Sequence, residues 1–201
     1  MGTLLFDEVT HTYTCDGHEV PSVTQVLRFA NADIASSANP YLRKVSADRG
    51  SRIHQACTAY DIDGVAGITE ECDDILPYIS AYKSFLDDYQ IKGWDLYERP
   101  LYYDVLHYAG TIDRYGKIDG LPTVLDIKTG SKLHMKIHSL QLCAYSVLLQ
   151  QNGYKVERGL ILHLRKDGTY RVVPVLLPND GSDGFEIFLG CLNLHYYLKG
   201  A

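Results

Sequence analysis

Two stretches, Gly110-Thr111-Ile112-Asp113-Arg114 and Val124-Leu125-Asp126-Ile127-Lys128, decide how this chain is read. Both mix apolar and charged residues at strand spacing, and alternate residues of a strand share a face. Ile112, Leu125 and Ile127 are therefore expected to enter the core, with Asp113, Asp126 and Lys128 emerging on the other side. On neighbouring strands, two carboxylates and an ammonium then converge. Carboxylates held close repel unless a cation stands between them, and hard oxygen ligands suit Mg²⁺ or Mn²⁺. Lys128 is then placed to position or deprotonate a water, or to neutralise charge on a phosphate. The same spacing also suits a plain salt bridge between Lys128 and one aspartate on a solvated sheet face.

Outward from these stretches, residues 96–105, 107–115 and 123–128 read as three sequential strands, with turns at Leu106 and at 116–122. A helix is expected over 136–151, closed by Gly153. Residues 156–164 and 170–177 read as a hairpin around Asp167-Gly168, and 184–198 as an amphipathic helix. Towards the N-terminus, Asp16-Gly17 marks a hairpin turn between 10–14 and 18–20. Ser22 is a helix N-cap for a short helix ending near Ala30. Pro40 opens a helix running to about Tyr60 with Ile53, Ala56, Cys57 and Tyr60 as its apolar stripe. Thr69, with Glu70 and Glu71 behind it, starts another running to about Tyr89 and closed by Gly93. The order of elements predicts a single α/β domain over 1–201 with a mixed sheet. A hairpin and helical part (1–93) precedes the core (94–201).

Three further features gather around the strand pair. Glu98 lies on the preceding strand and offers a third carboxylate to the same edge, or a surface charge. The following helix carries His134, His138, Gln141 and Tyr145 on one stripe, with Leu140, Ala144 and Val147 opposite. That stripe reads as a solvated face or as a surface reaching phosphate and base. His54 sits in Arg49-Gly50-Ser51-Arg52-Ile53-His54, where glycine permits close backbone approach and the arginines offer phosphate partners. A structural histidine is the other reading.

The chain has 201 residues, 46% hydrophobic and 22% charged, with net charge −6. These figures exclude intrinsic disorder, collagen-like order and a disulfide mini-scaffold. No apolar run reaches the roughly 18–20 residues of a membrane helix. The start lacks the basic and apolar regions of a signal peptide, so a cytoplasmic protein is expected. Five scattered cysteines without a Cys-x-x-Cys pair predict neither zinc nor an iron–sulfur cluster. Charge is unevenly spread: ten acids fall between Asp61 and Glu98, whereas 127–166 holds seven basic residues and only Glu157 as an acid. A polyanionic partner thus stays open despite the acidic sum. Sixteen tyrosines, several near the proposed site, suit packing or base stacking.

The ordered set His54, Glu98, Asp113, Asp126-x-Lys128 and Gln141-x-x-x-Tyr145 resembles the PD-(D/E)XK nuclease superfamily. It is most similar to the RecB-type branch of phage exonucleases and mitochondrial genome-maintenance exonucleases. The N-terminal Thr12-Tyr13, Gly17 and Pro21-Ser22-Val23-Thr24 also resemble the start of phage members. The resemblance implies a restriction-endonuclease-like core with a central mixed sheet flanked by helices. It implies a Mg²⁺- or Mn²⁺-dependent deoxyribonuclease with one or two ions, acting in DNA recombination or repair. His54, Asp113, Asp126 and the Ile127 carbonyl would hold metal, with Glu98 as a further or second-metal ligand. Lys128 would orient the attacking water, while Gln141 and Tyr145 would steady Lys128 and the scissile phosphate. Arg49, Arg52, Lys132, Lys136, His138 and Tyr145 are the expected DNA contacts. Single-stranded or end-frayed DNA is the expected substrate, with a recombination or replication protein as a further partner and no membrane. Alternatives are a structure-selective endonuclease and a non-catalytic DNA-binding recombination accessory of the same fold.

Overall fold

The computed structural model describes residues 2–7, 10–28, 30, 40–64 and 73–200. Its elements are β1 (Leu4–Asp7), β2 (Thr12–Cys15), β3 (His18–Val20), α1 (Val23–Val26), α2 (Pro40–Asp63), α3 (Leu76–Asp88) and β4 (Leu96–Tyr103). They continue as β5 (Tyr108–Ile118), β6 (Leu121–Lys128), α4 (Met135–Gln151), β7 (Arg158–Leu164), β8 (Tyr170–Val175) and α5 (Gly184–Lys199). The fold is mixed α/β, as the sequence predicts. A five-strand sheet runs in the order β4-β5-β6-β7-β8, and β1-β2-β3 form a separate antiparallel sheet. Strands β4 to β6 are an antiparallel meander, whereas β6 and β7 are parallel. Parallel neighbours require a crossover, which α4 supplies.

Helices cover both faces of the five-strand sheet. On one side Ile112, Val124 and Ile161 pack with Leu142, Leu148, Phe188 and Leu192 from α4 and α5. On the other, Leu125, Ile127, Leu160 and Leu162 meet Ile53 and Cys57 of α2 and Ile79, Tyr82 and Phe85 of α3. Burial on two faces is why β7 holds the apolar run Leu160-Ile161-Leu162. Each large apolar side chain fully removed from water contributes about 1.5–3 kcal/mol. Tyr13, Cys15 and Val20 of the small sheet close over Ala109 of β5, tying the N-terminal strands to the core. Among the described residues, no helix is long and apolar enough to cross a membrane.

Several boundaries differ from the sequence reading. Strand β1, with Leu4 and Phe6 half-buried, is an element the sequence reading lacked. Helix α1 has the capping box expected of Ser22, closed by Gln25, but ends at Val26 rather than near Ala30. Thr69, Glu70 and Glu71 lie outside the described residues, and α3 as described begins at Leu76 with Pro77 in its first turn. The turn expected over 116–122 is only Asp119-Gly120, whose φ values of +52° and +80° suit a type I′ hairpin. Gly116 lies within β5, opposite Thr123, with Trp94 against it where a side chain would stand. It relieves crowding and does not break the strand.

Candidate active site

The β5–β6 ladder pairs residue for residue up to Arg114 opposite Leu125. Beyond that point the strands part, and the Asp113 carboxylate, not its backbone, accepts the Ile127 N–H at 2.7 Å. On the other edge of β5, Tyr97 pairs Arg114 and Arg99 pairs Ile112, with Glu98 between them at a φ of +41°. A non-glycine residue held there is locally strained. The irregularity corrects the expected alternation: Ile112 packs on the α4/α5 side, whereas Leu125 and Ile127 pack on the α2/α3 side.

Helix α2 delivers His54 to this break, because Ile53 and Cys57 anchor the helix in the core beneath it. His54 Nδ1 lies 3.1 Å from Glu98 Oε1 and 3.7 Å from Asp113 Oδ2. Its Nε2 is 3.2 Å from the Ile127 carbonyl oxygen, which accepts. Burial by itself would lower the His54 pKa, but the Asp113 and Glu98 carboxylates overrule it and raise it to about 9. An imidazolium therefore lies among the same two carboxylates and carbonyl that the sequence nominated for a cation. Gly50, one turn earlier, faces Thr129 Oγ1, which a Cβ would meet at an ordinary 3.4 Å.

A second group lies across Asp113. Lys128 Nζ is 2.6 Å from Asp126 Oδ2 and donates to Gln141 Oε1 at 3.0 Å. Gln141 Nε2 in turn donates to the Tyr145 hydroxyl at 3.0 Å. Neither Asp126 oxygen has a hydrogen-bond donor in proper alignment, although both are buried. Burial raises the Asp126 carboxyl, with Lys128 opposing and Asp113 adding to the rise. Burial likewise raises Asp113, which His54 partly offsets. At Glu98 burial works upwards, but the His54 and Arg114 contacts outweigh it and hold the carboxyl below its usual range.

The donor set passes a chemical test for a hard divalent cation. His54, Glu98 and Asp113 each offer a ligand atom, all within 4.8 Å of one another. Asp126 lies outside that trio, yet its buried Oδ1, which has neither hydrogen bond nor ion pair, is the kind of group an ion satisfies.

The expected DNA contacts divide. Arg52 is committed to Asp74 through two hydrogen bonds of 2.7 and 3.2 Å. The pair lies at the surface, with both side chains about half exposed. Arg49 lays its guanidinium over the Tyr78 ring, and its Nε is buried without a hydrogen-bond partner. Lys132 and Lys136 are exposed. Along the helix stripe His134 is exposed, His138 and Gln141 are half-buried, and Tyr145 is buried. Leu140 and Val147, expected to face the core, are only half-buried. His138 is half-buried beside this group; burial and then Lys128 lower its pKa to about 4, keeping it neutral.

Three participants had no site role in the sequence reading. Arg114, completely buried, donates to Asp61 at 2.7 Å, Tyr82 at 3.2 Å, the Asp113 carbonyl at 2.6 Å, Glu98 at 3.3 Å and Thr58 at 3.0 Å. A guanidinium inside an apolar strand demands such partners, and that was the available signal. Tyr13 of β2 shares a 2.6 Å hydrogen bond with Thr111 and feels the charges of Glu98 and Asp113. Gly110 lies against the Tyr145 ring, where an added Cβ would stand 2.7 Å from Cε1.

No protein-family model matches the chain, and no curated protein matches it. Among solved structures it is similar to one described as "Crystal structure of SSO0001". The identity is 13% and the TM-score 0.34, over 68% of this chain and 73% of that one.

Proposed function

We propose that the chain is a Mg²⁺- or Mn²⁺-dependent deoxyribonuclease of the PD-(D/E)XK type. It hydrolyses phosphodiester bonds of single-stranded or end-frayed DNA in an exonuclease mode, within the cytoplasm. The observation that carries this reading is the convergence of His54, Glu98 and Asp113 on one side of a Lys128–Gln141–Tyr145 chain. His54, Glu98, Asp113, Asp126 and the Ile127 carbonyl are the groups that would hold the metal. When bound, such an ion supplies Lewis-acid polarisation of the phosphoryl oxygen and offsets the charge that develops during in-line displacement.

The chain's own residues supply the rest. Lys128 has three ammonium protons; Gln141 takes one and Asp126 attracts another, leaving one for the attacking water or a phosphoryl oxygen. Tyr145 accepts from Gln141, so its own hydroxyl proton is available to the same phosphate. Asp113 keeps β5 and β6 apart by capping the Ile127 N–H, which holds the Ile127 carbonyl beside His54. Arg114 fixes Glu98 from behind, through the core.

The test is digestion of end-labelled single- and double-stranded DNA with Mg²⁺ or Mn²⁺, with and without chelator, beside circular single strands. Metal-dependent shortening of linear strands, with circles spared, supports the proposal. Cut circles replace the exonuclease mode with an endonuclease one. Binding without cleavage under every metal condition leaves a DNA-binding accessory instead.

A further inference from the structure

A cavity of about 530 Å³ opens between the β6–α4 loop and strands β7 and β8. Lys132, His163, Arg165 and Arg171 line it together with Met135 and Val173, and no carboxylate is among its lining residues. Among the described residues, none of Lys132, Arg165 and Arg171 has an acidic oxygen within 4 Å. Asp167, which feels Arg165 electrostatically, accepts the Thr169 N–H and hydroxyl on Oδ1 and does not line the cavity. Three like charges around one concavity repel unless an anion enters it.

Register ties this cavity to the candidate active site. Lys128 pairs with His163 across the parallel β6–β7 ladder, and His163 pairs with Arg171 across β7–β8. Directly paired residues share a face, so Lys128, His163 and Arg171 form a row across three strands. At the usual strand separation, Arg171 stands about 10 Å from Lys128 along that row. His163 is buried, and its Nε2 donates to the Gly130 carbonyl at 2.7 Å. That bond pins the loop that carries Lys132 over the cavity.

From this arrangement we propose that the cavity is a phosphate subsite. It takes a backbone phosphodiester of the nucleic-acid strand, flanking the bond held at Lys128, with Lys132, Arg165 and Arg171 as its ligands. The assignment rests on the nuclease reading and extends it to residues outside the nuclease motif. Guanidinium forks match paired phosphoryl oxygens, and contact with the backbone positions a strand without reading its sequence.

The experiment measures binding of a fluorescent single-stranded oligonucleotide by anisotropy, without metal, across a series of salt concentrations. Each phosphate neutralised on a single strand contributes about 0.7 to the slope of log affinity against log salt. The Arg165→Gln/Arg171→Gln variant is expected to lose about 0.7–1.4 from that slope and to bind about tenfold more weakly at low salt, equally for different base sequences. Arg165→Lys/Arg171→Lys keeps the charge and should restore most of the slope, and a melting curve checks that each variant folds. An unchanged slope in the glutamine variant, with wild-type DNA cleavage intact, overturns the subsite and leaves the nuclease reading standing. A reduced slope in a chain that never cleaves DNA upholds the subsite and removes the catalytic reading. A wild-type chain that neither binds nor cleaves the oligonucleotide overturns both.

Discussion

The placement of His54 makes metal binding a proton-exchange reaction, and that can be measured. With its pKa raised to about 9 by Asp113 and Glu98, His54 is an imidazolium at pH 7 in the metal-free protein. Only the neutral ring can ligate, so an incoming ion must expel a proton. Two pH units below the pKa, the protonated form outnumbers the neutral one by about a hundredfold, which weakens apparent metal affinity at pH 7 by about 2.7 kcal/mol. Affinity should therefore rise about tenfold per pH unit through neutrality and level off above about pH 9. Calorimetric titration with Mn²⁺ in two buffers of different ionisation enthalpy reads the proton count directly. About one proton should leave per ion at pH 7, and His54→Asn should abolish that release. Heats that do not depend on the buffer would refute the reasoning. The metal-free protein carries the complementary signature. Because the folded-state value lies above the unfolded 6.5, protonation of His54 adds about 3 kcal/mol of stability that is complete below about pH 6.5 and disappears as pH rises through about 9.

Other outcomes follow from the same geometry. Lys128→Ala should lose turnover by at least a hundredfold while Mn²⁺ affinity, read by calorimetry, changes little; Asp126→Ala should lose both. Arg114→Met leaves the Asp61 carboxylate buried without its 2.7 Å partner, and urea unfolding should register a loss of about 3–5 kcal/mol. Adding Asp61→Leu should return part of that loss, and a single variant within 1 kcal/mol of wild type would count against the network. Gly110→Ala forces the Tyr145 ring to move, so it should cost about 1–3 kcal/mol in the same assay and lower turnover even where the protein stays folded. Gly50→Ala, whose Cβ meets Thr129 Oγ1 at 3.4 Å, should be nearly neutral and serves as the control.

Much of this molecule is written in short-range pattern. Strand-like runs bounded by turn residues marked β4 to β8, and helical spacing marked α4 and α5, because both signals are local and need no knowledge of distant chain. The ordered acids, lysine, glutamine and tyrosine were legible for the same reason: Asp126 and Lys128 share a strand face, and Gln141 and Tyr145 share a helix face. Alternation, however, assigns faces only while a ladder is unbroken. At Glu98 and Asp113 the ladder breaks, so the sequence put Ile112 on the wrong side. His54 meets Glu98 across 44 residues and Ile127 across 73. No local period encodes such distances; packing of α2 on the sheet sets them. The same is true of Arg114, whose charge could be seen in the sequence but whose five partners come from four separate segments. It is true as well of Arg165 and Arg171, which share a cavity with Lys132 only because β7 lies beside β6 and β8 beside β7. The sequence alone determined most of the elements, β1 excepted, and which chemical groups they carry. Tertiary packing decided which charges face one another, because Coulomb energy depends on separation in space and is indifferent to separation along the chain.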